Sequence, residues 1–220
     1  MQSLSSGVQY RHWPVDDAKA CLLLAHGLAE HTGRYEHVAA RFNERGVAVV
    51  GPDHMGHGAS PGIRVYLKAF SEYLEPMQAL RGCIDEWYPG RPVFLFGHSM
   101  GGLISAHLLL EFQAEFQGAM LSGPAFHAVD PGSAPLLWDG RVLKKVLPKL
   151  GMVSLDANGV SRDPAVVADY LADPLVYNGK ITTALGIEVL DAMEVAIARA
   201  GEITLPIYIA HGEADVMAGP

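Results

Sequence analysis

A chain of 220 residues, half of them hydrophobic, can fill one core of ordinary domain size, which excludes a disordered or fibrous protein. Its net charge is −8 and Lys and Arg never run beyond a pair, so no basic stripe follows a phosphate backbone and nucleic acid is not an expected partner. The two cysteines, Cys21 and Cys83, lie in apolar surroundings without CxxC spacing and read as buried free thiols.

The first residues, MQSLSSGVQYRHW, have neither a cationic start nor an apolar run, so nothing there reads as a signal peptide. No stretch approaches the roughly 20 apolar residues of a membrane-spanning helix. The expected location is cytoplasmic, or peripheral to a membrane. Short apolar runs bounded by turn residues then alternate with longer helical patterns, which predicts an α/β fold: a mostly parallel sheet with helices on both faces. The strands predicted are VQYRHW (8–13), CLLLA (21–25), VAVV (47–50), VFLF (93–96), AMLS (119–122) and IYIA (207–210). Most are near-continuous apolar runs, as strands buried on both faces require. Helical patterns fall at RYEHVAARFNERG (34–46), at 66–87, and at GLISAHLLLEF (102–112).

The interval 124–201 is longer than a crossover needs and reads as a cap or lid inserted between a first core part, 1–123, and a return to the core at 202–220. In WDGRVLKKVLPKLG (138–151), Trp138, Val142, Leu143, Val146, Leu147 and Leu150 share one helical stripe, with Lys144, Lys145 and Lys149 largely elsewhere. Such a helix either packs on the domain or forms a lid that also touches lipid.

The strongest chemical signal is PVFLFGHSMGG (92–102), where G-x-S-x-G follows a predicted strand and precedes a predicted helix. A nucleophile held on such a strained turn needs small neighbours, and Ser99 has them. The Met100 amide would open the helix as one oxyanion donor. In CLLLAHGLAEHTGRY, the His26-Gly27 pair ends a strand on the same sheet edge, and the Leu28 amide is the natural second donor. GPDHMGHGAS (51–60) carries His54 and His57 without a third ligand, so no metal is expected and support of the active-site floor is. HGEADVMAGP (211–220) looks like a loop that presents an acid, Asp215, to a catalytic histidine.

Taken in order, HGLAEHTGRY, PDHMGHGAS, GHSMGG, DPLV (173–176) and HGEAD resemble the monoacylglycerol lipase branch of the α/β-hydrolases, also called serine-aminopeptidase-like or lysophospholipase-like hydrolases. The combination of HGxxEHxGRY with DHxGHGxS is the specific part, and the resemblance runs from about Gly7 to the last residue. It implies an α/β-hydrolase fold with a helical cap, Ser99 as nucleophile, Asp215 as the triad acid, and the Leu28 and Met100 amides as oxyanion hole. It further implies that Glu30, Arg34 and Tyr170 face the polar glycerol head of a monoacylglycerol or related lipid ester. The residues alone allow a second role for Glu30 and Arg34, which stand four apart and can form an ion pair that braces their loop. No cofactor is implied.

The resemblance places the triad histidine on a loop after one further strand, some tens of residues beyond the acid, and the 220 residues hold none there. Only His12 and His127 stay open as internal substitutes. The expectation is a C-terminally incomplete chain, with IYIA as an edge strand open to pairing with a second copy. Negligible turnover by this chain alone follows. Alternatives of the same fold are a short-chain esterase, a lysophospholipase or an acyltransferase; a catalytically dead acyl-binding fragment is a third reading.

Overall fold

The structure is a computed structural model that describes residues 1–128 and 134–219, with 134–139 described by their backbone only. The Trp138 side chain and Pro220 therefore lie outside the described residues. Strands β1 (Gln2–Ser3), β2 (Gln9–Trp13), β3 (Ala20–Ala25), β4 (Val47–Pro52), β5 (Val93–His98), β6 (Gly118–Ser122) and β9 (Ile207–Ala210) form one sheet in the order β1-β2-β4-β3-β5-β6-β9. β2 runs antiparallel to β1 and β4, and the strands from β4 to β9 are parallel.

Alternation along β3 explains why a run of six apolar residues forms a strand. Cys21, Leu23 and Ala25 join the larger core with Met77, Leu80 and Ile84 of α2 (Leu74–Trp87) and Leu103, Ile104 and Leu108 of α3 (Met100–Phe112). Leu22 and Leu24 point to the other face and meet Ala39 of α1 (Glu36–Asn43). Both faces of the strand are thus covered, and each buried leucine contributes roughly 1.5–3 kcal/mol.

The six predicted strands all form. The helical pattern at 66–87 does not begin where the sequence suggested: α2 starts at Leu74, after a 3-10 turn at Phe70–Tyr73. The cause is local. Val65 takes a positive φ of 46°, and the Glu72 carboxylate accepts the Lys68 and Ala69 amides at 2.9 and 3.0 Å, so the chain turns and is capped there before it can wind. β1 was not expected, being only two residues long.

After β6 come α4 (Ala134–Val146), β7 (Gly151–Ser154), α5 (Pro164–Ala172), β8 (Lys180–Thr182) and α6 (Thr183–Arg199). β7 and β8 pair antiparallel as a separate two-stranded sheet, which no local pattern announced. The Thr182 hydroxyl caps α6 by accepting the Leu185 amide at 3.3 Å. Leu185, Ala192 and Ala196 enter the larger core, so α6 packs as a core helix although it falls inside the interval read as an insertion. α4 lies on α6 through Gly140 against Ile187 and through ion pairs of Lys144 with Glu188 and Arg141 with Asp191. Its Val142 and Val146, with Leu147 and Leu150 beyond, are exposed and Leu143 is half-buried, so most of the described part of the stripe is left open. β9 forms one edge of the main sheet, with Ile207, Tyr208 and Ile209 exposed.

Candidate active site

β5 delivers Ser99 at the carboxyl end of the parallel strands, with φ 52° and ψ −120°, and α3 begins at the next residue. A non-glycine residue pays roughly 1–2 kcal/mol for such a left-handed φ. Four backbone bonds hold it there: the Ser99 amide donates to Ser122 O at 3.0 Å, and Ser99 O accepts the Gly102, Ala125 and Leu103 amides at 2.9, 3.0 and 3.3 Å. Helix and sheet approach closely because both flanking glycines lack a side chain. A Cβ on Gly97 would lie 2.5 Å from Ser105 Oγ, and one on Gly101 would lie 2.5 Å from the Ala25 carbonyl carbon.

Two amides of the segments that meet at Ser99 have no acceptor among the described residues. The Met100 amide opens α3 and, like all first-turn amides, has no partner in its own helix; among the described residues it finds no other. The loop after β3 supplies the second. There His26 is fully buried, its Nε2 accepts the His54 amide at 2.9 Å, and its Nδ1 therefore donates to Gly27 O at 2.7 Å. The Gly27 amide donates to Glu30 Oε1 at 2.7 Å, and a Cβ on Gly27 would stand 3.4 Å from Ser99 Cβ, so this loop packs directly on the serine. The adjoining Leu28 amide meets no acceptor among the described residues. Ala29 follows with a φ of 66°.

Glu30 is buried and accepts three donors. Besides Gly27 it accepts the Tyr35 hydroxyl at 2.6 Å on Oε1 and Arg34 Nε at 3.1 Å on Oε2. The bracing ion pair is therefore present, and burial together with the Glu30 charge pushes the Tyr35 hydroxyl well above its ordinary value. The Arg34 guanidinium lies 4.7 Å over the ring of Tyr170 from α5, which brings the third residue of this group to the same place.

Asp215 follows β9. Its Oδ1 accepts the Met217 and Ala218 amides at 2.8 and 3.0 Å, and its Oδ2 stands 3.3 Å from His211 Nε2. Burial alone would raise its pKa, but those two amides and the His211 ring hold it below the usual carboxylate range. Asp215 Oδ2 would lie 3.5 Å from a Cβ on Gly123, one residue beyond the Ser122 carbonyl that takes the Ser99 amide. The end of β6 thus joins the acid loop to the elbow.

Most of the other described histidines have partners or burial of their own, whereas His37 and His127 are exposed. His12 stacks on Trp87 at 4.4 Å and lies 2.9 Å from the Tyr88 hydroxyl, and His98 Nδ1 donates to Ser122 O at 2.9 Å. His107 bonds Ala192 O at 2.9 Å. His54 and His57 are buried beneath the site with Tyr73; both ring nitrogens of His54, Nε2 of His57 and the Tyr73 hydroxyl have no partner among the described residues. Burial pushes His57 down to about 3 and His54 well below its ordinary value, so both are neutral in the fold. Among the described residues no three His, Cys, Asp or Glu side chains converge as metal ligands.

Sequence reasoning passed over two carboxylates. Asp53 accepts the Thr32 amide at 2.9 Å, the Thr32 hydroxyl at 2.5 Å and the Ala59 amide at 2.9 Å, tying the loop after β4 to the loop after β3. Asp173 reaches the same loop, its Oδ2 standing 2.8 Å from His31 Nε2. Both stand in quoted segments, but only their contacts distinguish them from turn residues.

Comparison with known proteins agrees with this geometry. The family model described as serine aminopeptidase, S33, matches residues 16–220. A monoacylglycerol lipase of Mycolicibacterium smegmatis is 40% identical over 209 residues, covering 94% of this chain and 75% of that protein. The Homo sapiens monoglyceride lipase is 34% identical over 208 residues, covering 93% of this chain and 68% of the relative. The crystal structure of Paleococcus ferrophilus monoacylglycerol lipase superposes with a TM-score of 0.86 at 30% identity, covering 97% of this chain and 80% of that one. With an elbow serine on an α/β-hydrolase sheet and a match over nearly its whole length, the chain belongs to the serine aminopeptidase S33 family.

Proposed function

We propose that the protein is a carboxylic ester hydrolase that cleaves monoacylglycerols, or similar single-chain lipid esters, to fatty acid and glycerol. The observation that carries this reading is the strained Ser99 at the turn into α3, with the Gly27 loop packed on it and the Leu28 and Met100 amides without acceptors among the described residues. In the proposed reaction Ser99 Oγ attacks the ester carbonyl, and the oxyanion that forms falls to those two N–H groups. The alcohol leaves with a proton, and water then clears the acyl-enzyme. Asp215 serves as the acid that orients the histidine base.

Arg34 and Tyr170, with Glu30 behind Arg34, form the polar face toward the glycerol head, since Glu30 itself already accepts three donors. The segment between β6 and α6 acts as the cap. Its exposed Val142, Val146 and Leu147, next to Lys144, Lys145 and Lys149, suit contact with a lipid surface, and the β9 edge suits pairing with a second copy. The named lipases among its relatives support the substrate class.

The test compares Ser99→Ala with the parent in the protein as its native cell produces it. Glycerol release from monooleoylglycerol and fluorophosphonate labelling are both expected to vanish with the serine, and p-nitrophenyl esters of graded chain length separate a lipase from a short-chain esterase. Equal glycerol release by Ser99→Ala would overturn the reading.

A further inference from the structure

Residues 29–34, after β3, and residues 170–177, in the cap, meet at three points. The Tyr177 amide donates to Ala29 O at 2.8 Å, His31 Nε2 stands 2.8 Å from Asp173 Oδ2, and the Arg34 guanidinium covers the Tyr170 ring. The His31 contact has a defined direction. Its Nδ1 accepts the Gly33 amide at 3.1 Å, so the proton sits on Nε2 and is donated to Asp173. Asp173 in turn shapes its own turn, accepting the Leu175 amide on Oδ1 at 2.9 Å and the Val176 amide on its carbonyl at 3.2 Å.

Ala29 makes these contacts consequential. Its φ of 66° belongs to a conformation that a residue with a Cβ keeps only when its surroundings impose it. Leu28, whose amide has no acceptor among the described residues, immediately precedes it, and Gly27 before it packs on Ser99. Glu30, on the core side, fixes Gly27, and the cap fixes Ala29 through Tyr177 and His31 through Asp173. His31 is only 4% exposed, so without Asp173 its Nε2–H would be left buried with no acceptor, and the loop would have to move to satisfy it.

We propose that Asp173 is a positioning residue: by holding His31 it locks the loop that carries the Leu28 amide and packs on Ser99, so that the oxyanion hole is complete only when the cap is seated. The inference rests on the reading of Leu28 as an oxyanion donor. It adds that the cap governs chemistry as well as access. Removing Asp173 should therefore act on acylation before it acts on binding.

The experiment compares Asp173→Ala and Asp173→Asn with the parent, each in the protein as its native cell produces it, by hydrogen exchange and by the rate of fluorophosphonate labelling at Ser99. In Asp173→Ala the Tyr177 and Gly33 amides, which report the Ala29 and His31 contacts, should exchange at least about tenfold faster, while amides of β3 and β5 keep their rates. Labelling should slow by roughly tenfold or more, toward the hundredfold cost of losing one oxyanion donor. Asp173→Asn keeps an acceptor oxygen in place and should restore both measurements to within a few fold. Unchanged exchange at Tyr177 and Gly33, or a uniform rise that includes β3 and β5, would overturn the proposal. Faster loop exchange with unaltered labelling would support the lock and overturn the assignment of Leu28 as donor.

Discussion

His57 offers the most direct check on the buried cluster beneath the serine. It is almost completely inaccessible, its Nδ1 lies 3.1 Å from Met55 O, and its Nε2 has no partner among the described residues. Burial first, and then the neighbouring His26 ring, push its pKa from 6.5 to about 3. A group depressed in the folded state contributes stability that is complete above the unfolded pKa and is lost as the pH falls toward the folded one. The window here runs from about pH 6.5 down to about pH 3. At pH 5 the unfolded chain has gained a proton that the folded chain refuses, which costs about 2 kcal/mol at 1.36 kcal/mol per pKa unit. Replacing His57 by Leu should remove one proton from the linkage. Urea unfolding between pH 5 and 6 should then show a stability slope smaller than the parent's by up to about 1.4 kcal/mol per pH unit. The carboxylates held low, Asp53, Asp173 and Asp215, titrate below that interval and do not interfere. Parallel slopes for parent and His57→Leu would refute the account of a neutral histidine buried without compensation.

Two backbone substitutions probe the loop and the elbow. Ala29→Gly relieves a left-handed φ at some cost in unfolded-chain entropy, so a net gain of roughly 0.5–1 kcal/mol is expected. A melting point raised by about 2–4 °C would register the upper end of that gain, and a lowered one would contradict it. Gly101→Ala places a methyl group inside contact distance of the Ala25 carbonyl and 2.6 Å from His26 O, both on the backbone where β3 ends. Overpacking of this kind costs about 1–3 kcal/mol or more, and a clash with backbone belongs at the upper end. Thermal unfolding and Ser99 labelling should both suffer, and a variant with parental values of each would show that α3 need not approach β3 so closely.

Much of the fold could be read directly because its determinants are local. A strand buried on both faces must be apolar at consecutive positions, so CLLLA and VFLF declared themselves. An elbow serine must sit between glycines, so GHSMG did too. The start of α2 was misjudged because Glu72 caps amides upstream of itself, and periodicity alone does not register a cap. The β7–β8 pair escaped notice because each strand has only three or four residues and its partner lies far along the chain. The stripe on α4 was readable as a stripe, but its exposure depended on what α6 offered it, which was ion pairs and a glycine contact.

The sequence by itself determined the class of fold, the serine at the strand-to-helix turn and the residue types of the loops around it, since these depend on neighbours within a few positions. Only the tertiary structure decided which groups are left free or engaged. It shows the Leu28 and Met100 amides without acceptors among the described residues, Glu30 accepting three donors, Asp215 brought to the end of β6, and His31 held by a carboxylate 142 residues away. Hydrogen-bond satisfaction depends on every group within reach in space, and distance along the chain does not encode that.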